Sequence, residues 1–501
     1  MSEQKRINRG LAWIGVASSL VGLLDFLAIL IILNTWITKT EYGIATECIW
    51  IFPILDQATD LGLSAAVIQR DDHDDTKIST VFWINFGIAL AMFGAMCLVG
   101  PLVGKIYGYP IIGSMLIVYG TKLIWQNLYF IPQAMMKREL RFGELSVIRI
   151  IANLAEFAGK VGFAAAGFGI WCFVLGPMCR VFVTGIGSQI CHPWRPKLRF
   201  AWAGARDYVT FGAKTSGSQI LFYFYTNIDY AIVGYYFGAT ALGIYRMAYE
   251  IVLEPVRMIS NVVVDVAFPA FAKLRHMRDK VIEQFVSFVR LNLVTVMTYS
   301  AIVFVSAADV VTVIFPKYQG AAPAVRILCA VAVLRAVSFV IPPLLDGLGK
   351  PNRTFIYTLV AAVTLPLCYN LFAIFLGDRL DFLSVAVAWA VGYPVAFAVL
   401  ILLAIYTLEW SPTAFLRAVL GIPLCTIAAA AAGFGVRELL PHATPALRLG
   451  LVTATILAVV LLLLAYTQGL SIAGALRAMK GDKPAPTPEA PADGAQIEPP
   501  S

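Results

Sequence analysis

Long apolar segments recur along the whole chain, and they constrain its fold more than any other feature. The first, Leu11–Leu33, is long enough to cross about 30 Å of hydrocarbon at about 1.5 Å per residue. Only 14% of the residues are charged, against about 25% in a soluble domain. The sequence therefore predicts an all-α polytopic membrane protein. We place its fourteen transmembrane helices at residues 9–33, 42–67, 78–104, 110–134, 143–169, 170–191, 210–237, 240–268, 283–308, 322–348, 354–376, 383–408, 414–437 and 445–468.

Basic residues in the loops fall mainly on one side of this arrangement. By the positive-inside rule that side is cytoplasmic, so both termini are expected there. The formal net charge of +8 is then a topology signal, and no nucleic-acid partner is expected. The sparse side carries only Lys39, Lys105, Arg246, Lys317, Arg379, Arg437 and Arg448.

An internal repeat is visible at an offset of about 200 residues, because residues 38–44 align with residues 238–244. Six helices separate the copies, so both have the same orientation, as in transporters with parallel repeats. The repeat predicts two six-helix bundles with two appended helices. The predicted domains are an N-terminal bundle with a cytoplasmic basic loop (1–208), a C-terminal bundle (209–410), two additional helices (411–468) and a disordered cytoplasmic tail (469–501).

Ionisable side chains lie inside several apolar segments. A charge that faces lipid costs roughly 3 kcal/mol, so we expect these groups to face protein or a water-filled cavity. Near mid-depth the bases exceed the acids, which favours an anionic substrate. The mid-depth charges are Asp56, Lys122, Arg257 and Arg335, and two further polar stripes are Lys214, Ser218, Tyr225 and Asp229, and Arg246, Glu250, Glu254, Arg257, Asn261 and Asp265.

The alternative is that these charges pair locally and only fix helix packing. The candidate pairs are Arg149 with Glu156, Arg246 with Glu250, and Glu254 with Arg257. No acid lies one turn from Lys122 or Arg335, which favours a functional role for these two residues.

Several classes of function are disfavoured. The segment Gly347–Lys350 lacks P-loop spacing, so ATP hydrolysis is not expected. The eight Cys include no C-x-x-C pair and the four His lie in separate loops, so no metal site is predicted. Every loop is short, which argues against an enzyme and predicts no catalytic residues.

Five stretches resemble the Wzx-type polysaccharide and oligosaccharide flippases of the multidrug/oligosaccharidyl-lipid/polysaccharide (MOP) superfamily. The resemblance spans roughly residues 5–410. It implies a flippase of the bacterial inner membrane that exports undecaprenyl-pyrophosphate-linked oligosaccharide repeat units for exopolysaccharide, capsule or lipopolysaccharide synthesis, by alternating access. The stretches are Asp60–Arg70, Lys137–Phe142, Asn227–Tyr245, Ala267–Phe271 and Asp346–Lys350.

The resemblance also suggests roles for interior residues. It implies no cofactor beyond coupling to H⁺ or Na⁺. Its implied partners are the polyprenyl-pyrophosphate-linked oligosaccharide, membrane lipid, and the polysaccharide polymerase and glycosyltransferases of the same pathway. Expected to bind the head group are Lys122, Lys214, Arg257, Arg335 and Tyr225; expected to pair with these bases or to couple ions are Asp25, Asp56, Asp229 and Glu254.

Three other functions remain open at this stage. The main alternative is a cation-coupled multidrug or small-metabolite exporter of the same superfamily, which would favour an acidic cavity. The others are a membrane glycosyltransferase and a scramblase or scaffold without directional transport.

Overall fold

The computed structural model describes residues 20–69 and 74–468. The start of the first predicted helix and the predicted disordered tail at 469–501 lie outside these residues. The side chains of residues 65, 69, 203–205, 207, 209–215, 265 and 468 also lie outside the description.

The first half of the described chain is a series of helices. They are α1 (Leu20–Thr35), α2 (Lys39–Ile49), α3 (Phe52–Asp60), α4 (Leu63–Gln69), α5 (Asp75–Ile106), α6 (Pro110–Trp125), α7 (Asn127–Arg138), α8 (Phe142–Ala165) and α9 (Cys172–Cys191), with a short 3₁₀ turn at Gly169–Trp171.

The second half continues in the same way. Its helices are α10 (Trp202–Leu274), α11 (Arg278–Val305), α12 (Ala307–Ile314), α13 (Ala322–Ser338), α14 (Ile341–Gly347), α15 (Pro351–Leu380), α16 (Leu383–Leu408), α17 (Pro412–Val419), α18 (Gly421–Glu438) and α19 (Pro445–Gln468), with a 3₁₀ segment at Pro316–Ala321.

All regular structure in the described ranges is helical, which confirms the prediction of an all-α fold. Eight helical segments there are long and apolar enough to cross a membrane, so the protein is a multi-pass membrane protein. The first, second, fourth, fifth, seventh and eighth predicted spans are not among these eight. The total of fourteen therefore stays a prediction.

The boundaries of two predicted features are wrong. The helix expected at 42–67 is broken into α2, α3 and α4, and the last break has positive φ at Leu61 (42°) and Gly62 (66°). The turn expected at 238–243 is reduced to Gly238 (φ 82°, ψ 172°), which glycine adopts without a Cβ clash. The expected domain boundary at 208/209 lies within α10, and the division into domains stays a prediction.

Helices adjacent in sequence pack as antiparallel pairs, including α5 with α6, α8 with α9, and α15 with α16. The last two helices, α18 and α19, pack on each other and on α11. An ion cluster fixes them further. Arg437 lies 3.4 Å from Asp309 of α12, and Arg448 Nε donates to the same buried carboxylate at 2.8 Å.

The two halves of the chain meet closely where α2 packs against α10. A methyl group on Gly43 would lie 1.7 Å from the carbonyl oxygen of Ala239, and one on Gly243 would lie 2.0 Å from that of Lys39. Only glycine permits these two approaches. We call residues 39–43 against 239–243 the glycine contact.

The glycine contact is reciprocal. Each residue in it has its counterpart 200 residues away, which is the offset of the sequence repeat. Thr40 and Thr240, at equivalent positions, place their hydroxyl oxygens 2.7 Å apart. The two repeats therefore meet across a local pseudo-twofold axis.

We predict that Gly43→Ala separates the glycine contact, because a backbone carbonyl cannot yield to a Cβ as a flexible side chain can. Disulfide formation in a Thr40→Cys/Thr240→Cys variant measures this, with an engineered protease site in the 192–201 loop so that the fragments stay linked only through the disulfide. The expected result is a several-fold lower yield and a loss of about 1–3 kcal/mol in stability. Gly87→Ala is the control, since a methyl group there meets nothing within 4 Å; equal yields in the two variants would contradict the prediction.

Candidate functional site

The first interior ion cluster lies between α3 and α6. The Lys122 ammonium is 2.7 Å from the Asp56 carboxylate, which also accepts hydrogen bonds from Tyr119 (3.0 Å) and Gln126 (2.9 Å). The ring of Phe52 stacks on Tyr119 at 3.4 Å. Lys122 is buried and its charge is compensated, so this predicted head-group ligand is held in place by a carboxylate from another helix.

A second cluster joins α1, α8 and α9. Lys160 lies 2.8 Å from Glu156 and 3.1 Å from Asp25, and Arg180 lies 3.1 Å from Glu156. The predicted pair of Glu156 with Arg149 is therefore replaced, because Lys160 is one turn away on the same face and Arg180 faces Glu156 from α9. Sequence reasoning did not single out Arg180. A basic residue in the apolar run of α9 was the available signal, the same one that identified Lys122.

Local pairs do form along the second arm of α10, residues 239–274. Arg246 pairs with Glu250, and the Arg246 guanidinium also donates to the Tyr230 hydroxyl at 2.7 Å. Arg257 pairs with Glu254 at 2.6 Å. The alternative that these charges pair within their own helix is therefore confirmed for both pairs.

Arg335 on α13 is different, because it forms no ion pair within the described part of the chain. It is 6% exposed, donates to the Tyr249 hydroxyl at 3.0 Å, and lies over the rings of Trp389 (5.5 Å) and Phe339 (5.4 Å). Aromatic faces and a phenol oxygen therefore replace a carboxylate as its partners. Its positive charge is not neutralised locally.

Asp229 is likewise fully buried and has no ion-pair partner among the described side chains. Its carboxylate accepts hydrogen bonds from Tyr245 (2.7 Å) and from the Trp389 indole (2.8 Å). Trp389 thus contacts both Asp229 and Arg335. Tyr225, a predicted substrate ligand, is buried and shares a 3.0 Å hydrogen bond with Tyr357. Lys214 lies in α10, and its side chain is outside the described atoms.

The half-exposed ionic groups lie on helices of both halves. Gly22 of α1 packs on Met258 of α10, and a methyl group on Gly22 would lie 2.0 Å from the terminal carbon of Met258. The helix that carries Asp25 therefore packs on the arm that carries Arg257. A charge that faced lipid would be costly, so we expect these groups to face water. The exposed fractions of these side chains are 45% for Asp25, 34% for Asp56, 38% for Arg180 and 52% for Arg257.

The predicted site residues thus divide into two groups. Asp25, Asp56, Glu254 and Arg257 are partly exposed and ion-paired, and Lys122, Tyr225, Asp229 and Arg335 are buried. No group of three His, Cys, Asp or Glu in the described ranges is arranged to hold a metal ion. Among these residues Arg335 is the cation that has no ion pair within the described side chains.

Solved structures define the class of this protein as a membrane protein with the MOP fold. A structure described as lipid II flippase MurJ in an inward closed conformation matches with a TM-score of 0.69 at 14% identity, over 90% of this chain and 97% of that one. An inward-facing multidrug resistance MATE family transporter of the MOP superfamily matches with a TM-score of 0.61 at 13% identity, over 78% and 94%.

The family follows from sequence. Residues 32–323, more than half of the chain, match the model of the polysaccharide biosynthesis protein family, and the chain belongs to it. It is 27% identical to the teichuronic acid biosynthesis protein TuaB of Bacillus subtilis, over 86% of this chain and 89% of that protein. It is 25% identical to the lipopolysaccharide biosynthesis protein WzxC of Escherichia coli, over 71% and 73%. The resemblance to Wzx-type flippases is therefore confirmed, and the family and its structural neighbours are transport proteins, not enzymes.

We predict that removing one partner of the Asp56–Lys122 pair destabilises the protein more than removing both partners. Asp56→Asn leaves an uncompensated buried ammonium and should cost about 2–3 kcal/mol, below the upper range for buried pairs because Asp56 is partly exposed. Adding Lys122→Met should restore much of this loss. Thermal unfolding of the single and double variants in detergent measures it, and purely additive losses would contradict the prediction.

Proposed function

We propose that this protein is a flippase that moves undecaprenyl-pyrophosphate-linked oligosaccharide repeat units across the bacterial inner membrane, for synthesis of a surface polysaccharide. The observation that carries the proposal is the set of half-exposed ionic side chains that both halves of a MOP fold contribute. Membership of the polysaccharide biosynthesis protein family supports it. Two relatives support it as well: the lipopolysaccharide biosynthesis protein WzxC of Escherichia coli and the succinoglycan biosynthesis transport protein ExoT of Rhizobium meliloti.

The head group needs donors that reach the water between the halves. Arg180 and Arg257 are the two exposed arginines of the ion clusters, one from each half. Each holds one carboxylate, and a guanidinium has five N–H donors, so each can take pyrophosphate oxygens as well. Arg335, which packs against Tyr249, Trp389 and Phe339, adds positive potential. Lys122, saturated by Asp56 and Tyr119, orients this surface and does not itself bind the ligand.

Alternating access fits the way the halves meet. The glycine contact closes the space between them at the end that the distribution of basic loops predicts to be periplasmic. In the proposed cycle the sugar-pyrophosphate head enters from the cytoplasm while the polyprenyl tail stays in lipid. The halves then rock, the glycine contact separates, and the head reaches the periplasm. Both termini are cytoplasmic in this proposal.

Partners and energy source belong to the same proposal. The glycosyltransferases of the pathway supply the loaded lipid, and a polymerase consumes it on the other side. Coupling to H⁺ or Na⁺ would make export directional.

Deletion of the gene tests the function directly. The proposal expects a sugar-loaded polyprenyl carrier to accumulate on the inner leaflet and the surface glycan to disappear, both reversed by the intact gene. An intact glycan with no trapped carrier would contradict the proposal. Sensitivity of the same strain to small cationic compounds would favour the exporter alternative.

We predict that Arg257→Gln lowers flipping at least tenfold in reconstituted vesicles, with Arg257→Lys intermediate because an ammonium lacks the bidentate fork. The Glu254→Gln/Arg257→Gln variant removes the pair without leaving a lone carboxylate and should be as inactive as the single variant. Arg379→Gln, an exposed arginine at the end of α15, is the matched control. Restored flipping in the double variant would show that Arg257 only neutralises Glu254.

A further inference from the structure

Glu47 on α2 is a buried carboxyl group at the interface of the two halves. It is 1% exposed, and its Oε2 has no hydrogen-bond partner among the atoms described. Its Oε1 lies over the backbone of α10 so closely that a methyl group on Gly234 would come within 1.4 Å of it. The carboxyl group therefore occupies the space that a side chain at Gly234 would fill.

The groups around Glu47 do not neutralise it. Tyr107, at the end of α5, is the titratable group that faces it, and its hydroxyl also donates to the carbonyl of Ala231 at 3.3 Å. The Cys48 thiol is its neighbour on α2 and points to the carbonyl of Ile112. Within the described residues, neither α3, α6, α10 nor the Gly169–Trp171 turn presents a charged group to it.

A carboxylate buried in this way is strongly disfavoured, so the neutral acid is the form that fits the closed interface. Asp229 also lacks an ion pair among the described side chains; its Oδ2 accepts two hydrogen bonds, and its Oδ1 has no partner among the atoms described. At the equivalent position 200 residues later the second repeat has Met247, fully buried and apolar. The first repeat thus carries a titratable group where its counterpart carries none.

Glu47 lies one helical turn from Gly43 and therefore faces α10 beside the glycine contact. Any separation of α2 from α10 would bring its carboxyl group to water. We propose that Glu47 is a proton-binding site that holds the glycine contact closed when it is occupied. Opening lets the carboxylic acid release its proton to water, and closing requires that a proton be taken up. This proposal rests on the proposed alternating access and assigns a control to it.

The experiment measures the contact without substrate. The Thr40→Cys/Thr240→Cys variant with the cleavable 192–201 loop is oxidised in nanodiscs across a pH range, with the yield corrected against a Cys pair in a static contact. One proton changes the closed-to-open ratio by at most tenfold per pH unit, so the disulfide yield should fall as the pH rises. Glu47→Gln should abolish this dependence and keep the contact closed. Glu41 is an acid on the same helix that hydrogen-bonds to Thr38. The Glu41→Gln variant should retain the pH dependence of the disulfide yield.

A yield that does not vary with pH, or one that varies equally in Glu47→Gln, would overturn the proposal. If Glu47→Gln does not accumulate in membranes, Glu47→Met replaces it, because methionine is the residue of the second repeat at this position. Crosslinking does not depend on substrate. Crosslinking that does not depend on pH would therefore leave the proposed flipping untouched. If crosslinking depends on pH but the deletion strain traps no sugar-loaded carrier, the flippase is refuted and the proton site is kept.

Discussion

The close approach of two backbones at Gly43 and Gly243 is the interaction on which the rest of the structure depends. Small residues allow membrane helices to pack tightly where lipid provides no hydrophobic drive between them. Here two glycines do so reciprocally, so a single local geometry is used twice. This places α2 against α10. A side chain at either glycine would part the helices that carry the site.

Charge compensation decides which interior groups can act. Two ion clusters are internally compensated: Asp56 with Lys122, and Glu156 with Lys160 and Arg180. This compensation lowers the cost of placing charges inside the membrane. Such pairs shape a hydrated surface without attracting a particular ligand. Arg335 has only aromatic and phenolic partners, so its field reaches further. An anionic head group would be attracted by this imbalance and held by the exposed arginines in front of it.

Much of this was predictable because apolar length and charge spacing are local properties. The all-α character and the Arg246–Glu250 and Glu254–Arg257 pairs follow from residues a few turns apart. The pairing of Lys122 with Asp56, 66 residues away, does not, because it depends on which helices are neighbours. Arg180 and Glu47 were visible as charges in apolar runs, but their partners, or the lack of one, exist only in the packed structure. The break between α3 and α4 does not follow from the sequence because Leu61 adopts a left-handed conformation that is rare for leucine.

The differences between the repeats carry more functional information than their similarity. Two identical halves related by a local twofold axis would open and close without any signal to bias them. At positions 47 and 247 the repeat keeps the backbone geometry and changes the chemistry, from a carboxylic acid to a thioether. A buried carboxyl group costs stability unless it is neutral. Closure over Glu47 therefore depends on the uptake of a proton. The symmetric contact closes the space between the halves, and the asymmetric residue beside it makes the closed state sensitive to pH.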